Sequence, residues 1–177
     1  MVLGLIWLAG AATAKRTARS ASGAFLARHF LLLAVGLALI FSAKERAGPL
    51  AWRLVPDSPA AAYSGLALTV AGVAFAIWAR IVLGGNWSGT VTIKEGHTLV
   101  RSGPYRLVRN PIYTGLWLAL LGTAVAYGEL RGFIGAGIVL LAWWYKSRKE
   151  EAFLAGQFGE PYEVYRREVK SLIPFVL

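Results

Sequence analysis

The chain has 177 residues, of which 56% are hydrophobic and only 16% are charged. Soluble domains use fewer apolar residues and about a quarter charged ones, so the composition excludes an ordinary soluble domain. The absence of cysteine excludes disulfides and thiol chemistry. The two histidines, His29 and His97, are too few and too far apart to indicate a zinc site, so no metal is expected.

Apolar runs recur along the chain and predict an all-α, polytopic integral membrane protein with about five transmembrane helices. The runs are Val2–Ala14, Phe25–Ala43, Tyr63–Gly85, Pro111–Gly128 and Gly132–Tyr145. A spanning helix needs about 20 residues, so the first and last runs must borrow length from their flanks. Val2–Ala14 precedes its positive charges, which is the wrong order for a cleaved signal, and we interpret it as the first membrane helix.

The formal net charge of +10 is distributed unevenly over this topology. With the N-terminus outside, 15 of the lysines and arginines lie on the inner side and 4 lie outside. The positive-inside rule then predicts a cytoplasmic C-terminus and a cytoplasmic site. Anionic lipid headgroups account for the basic charge, so membrane lipids are expected partners and a nucleic acid is not.

The connections between the runs differ in length and composition. Lys44–Ala62 contains three prolines and predicts an irregular outer loop. Gly128–Gly132 is so short that the last two spans are predicted to form a tight antiparallel hairpin. Two inner segments, Gly84–Asn110 and Lys146–Leu177, are polar and long enough to carry a site.

The final segment contains a helical pattern of apolar residues. Tyr162, Tyr165, Val169 and Leu172 follow one another at spacings of 3, 4 and 3, which places them on one face of a helix. Pro161 suits the first turn of that helix. The pattern predicts an amphipathic C-terminal cap that lies on the membrane or on the helix bundle.

The dipeptide Asn110-Pro111 predicts the start of a helix at the inner interface. Asparagine is a favoured N-cap and proline is favoured at the first helical position. The helix N-terminus presents partial positive charge, and Arg109 adds a full charge beside it, so together they predict an anion site. The alternative is that Arg109 reaches a lipid phosphate at the membrane surface.

An acidic pair follows the last apolar run directly. Glu150 and Glu151 are predicted to lie near the inner interface, where unpaired carboxylates are expensive. The simple alternative is a pairing of Glu150 with Lys146, four residues earlier on a solvated helix face. If the hairpin packs as expected, the pair meets the Arg109 site and predicts binding of a zwitterionic ligand.

The stretch HTLVRSGPYRLVRNPIYTG, followed after one hairpin by EEAFLAGQFGEPYEVYRREVKSLIPF, resembles the isoprenylcysteine carboxyl methyltransferase family. Phospholipid methyltransferases are related to that family. The resemblance covers His97–Phe175, whereas the earlier half matches only as generic membrane helices. It divides the single membrane domain into N-terminal helices over residues 1–96 and a methyltransferase core over residues 97–177.

The resemblance implies an enzyme that uses S-adenosylmethionine to methylate a lipophilic acceptor, by carboxyl O-methylation of an isoprenylcysteine-like or isoprenoid carboxylate. The implied catalytic residues are Arg109 and Glu151, and Lys146 is implied to meet the substrate. The implied cofactor-binding residues are His97, Thr98, Leu99, Val100, Tyr105, Asn110, Pro111, Ile112, Tyr113 and Glu150. Methyl transfer to a carboxylate needs no general base, because a carboxylate is ionised near neutral pH.

Two positions depart from the family pattern. Asn110 stands where many members have histidine, which argues against a general acid there. Lys146 stands where eukaryotic members have arginine, and lysine does not clamp a carboxylate with two parallel hydrogen bonds. Both departures bear on the identity of the acceptor more than on the chemistry.

Three other functions stay open at this point. A phospholipid N-methyltransferase would use the same cofactor on an amine, with Glu151 as a base. A sterol-reductase-like enzyme would use NADPH and would be expected to carry more arginines. A small lipid-binding or scaffold protein would bind neither cofactor.

Overall fold

The computed structural model describes residues 17–20, 23–42, 48–86, 92–94 and 98–174. The predicted first span, Val2–Ala14, and the candidate site residue His97 lie outside these ranges. The helices are α1 (Gly23–Phe41), α2 (Pro59–Leu83), α3 (Pro111–Tyr127), α4 (Leu130–Phe158) and α5 (Glu160–Glu168). Short 3-10 turns cover Pro49–Ala51, Gly84–Asn86 and Gly103–Arg106.

The all-α prediction is confirmed for the body of the fold. Beside the helices, one small antiparallel sheet pairs β1 (Thr17–Ser20) with β2 (Thr92–Lys94). Thr17 lies opposite Lys94 in this ladder, and the register shifts once between Thr17 and Arg19. The sheet was not predicted from the sequence.

Local sequence fixes the ends of the two central helices. The Ser58 hydroxyl accepts a hydrogen bond from the Ala61 N–H at 3.2 Å, and Pro59 occupies the first turn of α2. Gly128 ends α3 in the left-handed conformation, with φ of 72°, and its N–H donates to the Ala124 carbonyl. Glycine adopts this conformation without the steric penalty of other residues.

Helices α2 and α3 pack at very close range through small residues. A Cβ atom added to Gly72 would lie 2.5 Å from the Gly115 carbonyl oxygen, and one added to Gly115 would lie 2.6 Å from the Ala76 nitrogen. The Thr69 hydroxyl donates across this interface to the Ala119 carbonyl at 3.1 Å. Such small-residue contacts let helix backbones approach closely, as is common between membrane helices.

We expect Gly115→Ala to destabilise the protein, because the new methyl group would overlap backbone atoms of α2. Overpacking of this kind costs about 1–3 kcal/mol, which corresponds to a drop in Tm on the order of 5 °C. Thermal unfolding in detergent measures the change. The matched control is Gly137→Ala on α4, where an added Cβ meets nothing within 4 Å. An equal response of the two variants would contradict the packing argument.

The α3–α4 hairpin is confirmed as tight and antiparallel, since only Gly128 and Glu129 separate the two helices. The Trp117 indole N–H donates across the hairpin to the Ala136 carbonyl at 3.0 Å. The loop between α1 and α2 also contacts the turn of the hairpin, because the Leu54 N–H donates to the Gly128 carbonyl at 2.7 Å. Helix α4 then continues without a break past the last apolar run into the polar C-terminal segment.

Two helical stretches among the described residues are long and apolar enough to cross a bilayer, by length and composition. They are Gly23–Phe41, with 19 residues, and Pro59–Asn86, with 28 residues. Only 22% of the most apolar window of each is buried inside the protein, so most of their apolar surface faces outward. Helix α3 is apolar but has 17 residues. Two helices thus support the prediction of a membrane protein, and the number of five spans stays a prediction.

The C-terminal helix is shorter than the sequence pattern predicted. Helix α5 ends at Glu168, Val169 is extended, and Leu172 lies beyond the helix although it is buried. The Arg166 and Val169 carbonyls receive hydrogen bonds from the Arg109 guanidinium. This tertiary contact satisfies carbonyls at the helix end and replaces a further helical turn. Pro161 is in the first turn, as predicted.

Candidate active site

Helix α3 begins at Pro111, and Asn110 occupies the N-cap position, as predicted. The Asn110 carbonyl accepts the Thr114 N–H at 3.1 Å, but its side chain makes no capping hydrogen bond. The amide nitrogen instead donates to Glu151 Oε1 at 2.9 Å. The prediction that the Asn110 side chain caps α3 is therefore wrong, because the buried Glu151 carboxylate binds the same amide.

Arg109 and Glu151 form a buried ion pair between the start of α3 and the polar part of α4. Arg109 Nη2 lies 2.7 Å from Glu151 Oε2, and Nε lies 3.2 Å from Oε1. The two side chains are only 8% and 5% exposed. Ser171 completes the group by donating to Glu151 Oε1 at 2.7 Å. We call Arg109, Asn110, Glu151 and Ser171 the clamp.

The clamp also holds the C-terminal segment. The N–H groups of Arg109 and Asn110 donate to the carbonyls of Lys170 at 2.8 Å and Ser171 at 2.9 Å. The Thr114 hydroxyl donates to the Leu172 carbonyl at 2.6 Å. The anion that Arg109 was expected to attract is thus the protein's own Glu151. Both residues have their hydrogen-bonding groups largely engaged within the protein.

A second cluster lies beside the clamp, one residue earlier on α4 and one turn later on α3. The Tyr113 hydroxyl donates to Glu150 at 2.9 Å, and Lys146 Nζ lies 3.5 Å from Glu150 Oε1. The Lys146 ammonium sits 5.1 Å from the centre of the Tyr113 ring, which stacks on Trp143. We call Lys146, Glu150, Tyr113 and Trp143 the lysine cluster.

The electrostatics of the lysine cluster differ from those of the clamp. Glu150 lies beyond the last apolar run, and burial raises the pKa of its carboxyl, while Lys146 and Tyr113 act in the opposite direction. Its side chain is still 19% exposed, compared with 5% for Glu151. Glu150 is therefore the carboxylate of the pair that a cationic ligand group can reach.

The remaining candidates lie around the short turn before α3. Tyr105 and Ile112 pack with Ala79 of α2 in a buried core, against which Val100 also packs. The Tyr165 hydroxyl donates to the Tyr105 carbonyl at 2.6 Å. Burial raises the pKa of the Tyr165 hydroxyl, which favours its protonated, donating form.

Three further candidates lie outside this buried core and outside the clamp and the lysine cluster. Pro111 is buried at the start of α3. The exposed Thr98 hydroxyl accepts a hydrogen bond from the Asn86 amide at 3.0 Å, and Leu99 beside it is half-buried. The structure thus brings Arg109, Asn110 and Glu151 together, and separately Tyr113, Lys146 and Glu150. The hydrogen bonds described here do not connect Thr98 or Leu99 to either group.

A cavity of about 260 Å³ lies behind the clamp, between α2, α3 and the C-terminal segment. Its lining includes Phe75, Trp117, Leu118, Leu172 and Ile173. Thr114, which holds the C-terminal segment, also faces it. A cavity with this lining fits a hydrocarbon group better than a nucleoside.

Two buried polar residues near the candidate site were missed in the sequence. Ser171 is buried and binds Glu151, and His29 of α1 is only 4% exposed. Ser171 lies between Val169 and Leu172, the last two members of the predicted apolar pattern, and nothing in the sequence marked it as a site residue. His29 stands near the start of an apolar run, and a histidine there is a signal for a buried polar contact.

The sequence of this chain is similar to those of known methyltransferases. The phospholipid methyltransferase family model matches residues 60–161, which include both the clamp's Arg109–Glu151 pair and the lysine cluster. A protein-S-isoprenylcysteine O-methyltransferase of Schizosaccharomyces pombe is 36% identical over 103 residues, 55% of this chain and 43% of the relative. The human protein of the same name is 30% identical over 118 residues, 64% of this chain and 41% of the relative.

A solved structure shares the fold. It is described as the eukaryotic intramembrane Ras methyltransferase ICMT (isoprenylcysteine carboxyl methyltransferase), with a TM-score of 0.60 and 22% identity. The match covers 84% of this chain and 53% of that one. A probable protein-S-isoprenylcysteine O-methyltransferase of Oryza sativa subsp. indica is 31% identical and is covered over 61% of its length. The chain thus spans about two fifths to three fifths of the curated relatives named here.

These matches confirm the family resemblance seen in the sequence. The family model alone covers more than half of the chain, and it includes the whole α3–α4 hairpin. The chain therefore belongs to the phospholipid methyltransferase family, and its curated relatives are protein-S-isoprenylcysteine O-methyltransferases.

Proposed function

We propose that the protein is an integral membrane methyltransferase that uses S-adenosylmethionine to methylate a carboxylate on a lipophilic, isoprenylcysteine-like acceptor. The observation that carries the proposal is the lysine cluster, in which a partly accessible carboxylate and a buried ammonium meet at one end of the α3–α4 hairpin. It lies within the residues matched by the family model. The proposed location of this site is the cytoplasmic side.

The lysine cluster fits a cationic methyl donor. Glu150 offers a carboxylate, and the stacked rings of Tyr113 and Trp143, 5.8 Å apart, offer π faces that attract cations. Bound S-adenosylmethionine supplies a methyl group on a sulfonium, whose sulfur keeps the bonding electron pair when the acceptor oxygen takes the methyl. Glu150, Tyr113 and the backbone around Asn110 are our candidates for holding it.

Lys146 is our candidate for binding the acceptor's carboxylate. Its ammonium is buried and lies close to Glu150, so it can neutralise an anion in a site with little water. A carboxylate acceptor needs no base, and the protein's task is then to align the reactants and exclude water. The apolar cavity behind the clamp and the outward apolar faces of α1 and α2 fit a lipophilic acceptor in a bilayer.

The clamp has a supporting role in this proposal. Glu151 already accepts hydrogen bonds from Arg109, Asn110 and Ser171, so it has little capacity to act as a base. The Arg109 guanidinium donates hydrogen bonds to Glu151 and to two carbonyls of the C-terminal segment. We therefore assign Arg109 and Glu151 as positioning residues that hold the C-terminal segment over the start of α3.

The test is to incubate the purified full chain in detergent with methyl-labelled S-adenosylmethionine and an S-prenylated cysteine derivative. A methyl ester releases labelled methanol in base, whereas an N-methyl group does not. We expect base-labile label with the free carboxylate and none with the same derivative supplied as its methyl ester. Absence of label with the free carboxylate would overturn the carboxylate proposal.

The phospholipid amine is a second candidate acceptor, since the matching family model is described as phospholipid methyltransferase. The same incubation with vesicles that contain phosphatidylethanolamine tests it. Base-stable label in the lipid would favour N-methylation, and base-labile label in the prenylcysteine arm would favour the carboxylate.

We expect Glu150→Gln to weaken S-adenosylmethionine binding by about tenfold to a hundredfold, because a hydrogen bond to a charged group contributes about 1.5–3 kcal/mol. Isothermal calorimetry in detergent measures the affinity. Glu160→Gln removes an exposed carboxylate at the start of α5 and is the matched control, for which we expect no change. Unchanged binding in Glu150→Gln would remove Glu150 from the cofactor site.

A further inference from the structure

The apolar cavity behind the clamp has two neighbouring cations that the proposed site does not use. Its described lining residues come from α2, from α3 and the turn before it, and from the C-terminal segment, and none of them belongs to α4. The lysine cluster is built instead from α4 and from Tyr113 of α3. The cavity and the lysine cluster therefore share only helix α3.

The cavity lies at the depth of the first turns of α3. Its lining residue Leu118 follows Pro111 by seven residues, which is about 10 Å along the helix. Phe75 of α2 precedes the last residue of that helix, Leu83, by eight residues and lies at a similar depth. Leu107 is 54% exposed, so the lining reaches the protein surface near the helix ends. A hydrocarbon chain that lies along α2 and α3 in a bilayer can therefore reach the cavity.

Arg106 and Lys170 flank the cavity where these helices end. Arg106 directly precedes the lining residue Leu107, and Lys170 comes two residues before the lining residue Leu172. The Lys170 carbonyl accepts the Arg109 N–H at 2.8 Å, which joins the two chain segments immediately before α3. Both cations are exposed, and neither forms an ion pair with a carboxylate of the residues that the structure describes. The apolar cavity thus has two uncompensated positive charges at its polar end.

We propose that the cavity, Arg106 and Lys170 form a binding site for an anionic phospholipid of the bilayer, with an acyl chain in the cavity and the phosphate at the two cations. Basic pockets at the ends of membrane helices are typical sites for anionic headgroups. The apolar lining suits any hydrocarbon, including that of a lipophilic acceptor, and the neighbouring charges decide between the two. They complement a lipid phosphate, whereas the acceptor's carboxylate is assigned to Lys146. The inference goes beyond the proposed function and holds for any methyl acceptor.

A lipid in this site stabilises the C-terminal segment. Leu172, Ile173 and Pro174 form one wall of the cavity, and the Thr114 hydroxyl attaches the same segment to α3. An acyl chain in the cavity adds apolar contacts to that wall. The bound lipid is therefore expected to stabilise the folded protein. High salt should weaken the effect, because interactions between exposed charges are screened.

The test measures thermal unfolding of the purified full chain in a neutral detergent, with phosphatidylglycerol, phosphatidylcholine or inorganic phosphate added. Near saturation, phosphatidylglycerol should raise the Tm by about 5 °C, phosphatidylcholine by less than about half as much, and inorganic phosphate not measurably. Equal shifts with the two lipids would overturn the role of the cations. A shift with inorganic phosphate as large as that with phosphatidylglycerol would overturn the role of the cavity.

Variants locate the effect. Arg106→Gln with Lys170→Gln should reduce the phosphatidylglycerol shift to that of phosphatidylcholine, whereas Arg106→Lys with Lys170→Arg keeps both charges and should retain it. Arg148→Gln with Lys149→Gln removes two exposed cations of α4 and is the matched control, for which we expect the full shift. Leu118→Trp fills the cavity and should reduce the shift with both lipids. A full phosphatidylglycerol shift in the glutamine pair or in Leu118→Trp would overturn the site.

A last comparison separates this inference from the proposed function. An S-prenylated cysteine carboxylate is added in place of the lipid. We expect the shift that it produces to persist in Leu118→Trp and to be lost in Lys146→Met, because the acceptor is assigned to Lys146. Loss of that shift in Leu118→Trp would assign the cavity to the acceptor, which overturns the phospholipid site and leaves the proposed function intact.

Discussion

Replacing Arg109 with methionine is expected to destabilise the protein by about 3–5 kcal/mol, because Glu151 would be left as a buried charge without its cation. The side chains of the pair are 8% and 5% exposed, so solvent cannot compensate. For a chain of this length the change corresponds to a drop in Tm of roughly 10 °C or more. Thermal unfolding in detergent measures it.

A matched control comes from a second arginine–glutamate pair, which joins the segment before α3 to α5. Arg101 binds Glu168 at the end of α5, but the two side chains are 43% and 55% exposed. An exposed pair contributes about 0–1 kcal/mol, so Arg101→Met should lower the Tm by a few degrees at most. The double variant Arg109→Met, Glu151→Leu should recover part of the loss, since it leaves no lone charge. Equal effects of Arg109→Met and Arg101→Met would contradict the assignment of the clamp.

Replacing Lys146 with methionine is expected to lower kcat/KM for a carboxylate acceptor by about a hundredfold or more. Truncation of one partner of a buried charged hydrogen bond typically costs about 2–5 kcal/mol. The affinity for S-adenosylmethionine should change much less, because Glu150 and Tyr113 are retained. Initial rates at saturating cofactor, together with calorimetry, separate the two effects.

Two further variants sharpen this experiment. Lys146→Arg keeps the charge and should lose less than tenfold, since arginine binds carboxylates well. Lys149→Met removes an exposed lysine from the same helix and should leave the rates unchanged. If Lys146→Met lost cofactor affinity while its kcat/KM at saturating cofactor stayed intact, Lys146 would belong to the cofactor site and not to the acceptor site.

The parts of the fold that depend on local sequence were predictable. The α3–α4 hairpin follows from two apolar runs that leave room for only a short turn at Gly128, and the helix start follows from Pro111. The end of α5 was not predictable, because the carbonyl of Val169 is taken by Arg109, which lies 60 residues away in the chain. Periodicity reports which residues share a helix face but not where a distant side chain ends the helix.

The candidate site was predictable to a similar extent. The sequence predicted that Glu150 and Glu151 lie near the start of α3. Helical spacing puts Lys146 on the same face of α4 as Glu150, and Ser147 on the same face as Glu151. Either the Lys146–Glu150 face or the Ser147–Glu151 face of α4 could point toward Arg109, depending on how α4 is rotated about its axis. The contact of Gly36 on α1 with Val139 on α4 helps to set that rotation. The side chain of Asn110 was assigned to the wrong partner for the same reason, since its carboxylate partner lies on another helix.

The clamp has a consequence for how the chain is made. Glu151 follows Arg109 by 42 residues, and the C-terminal carbonyls follow it by about 60. At a synthesis rate of about 5–20 residues per second, the guanidinium emerges from the ribosome roughly 2–8 s before its counter-ion. During that interval Arg109 has no counter-ion and has to stay hydrated. The growing chain thus exposes a cation that the finished protein buries.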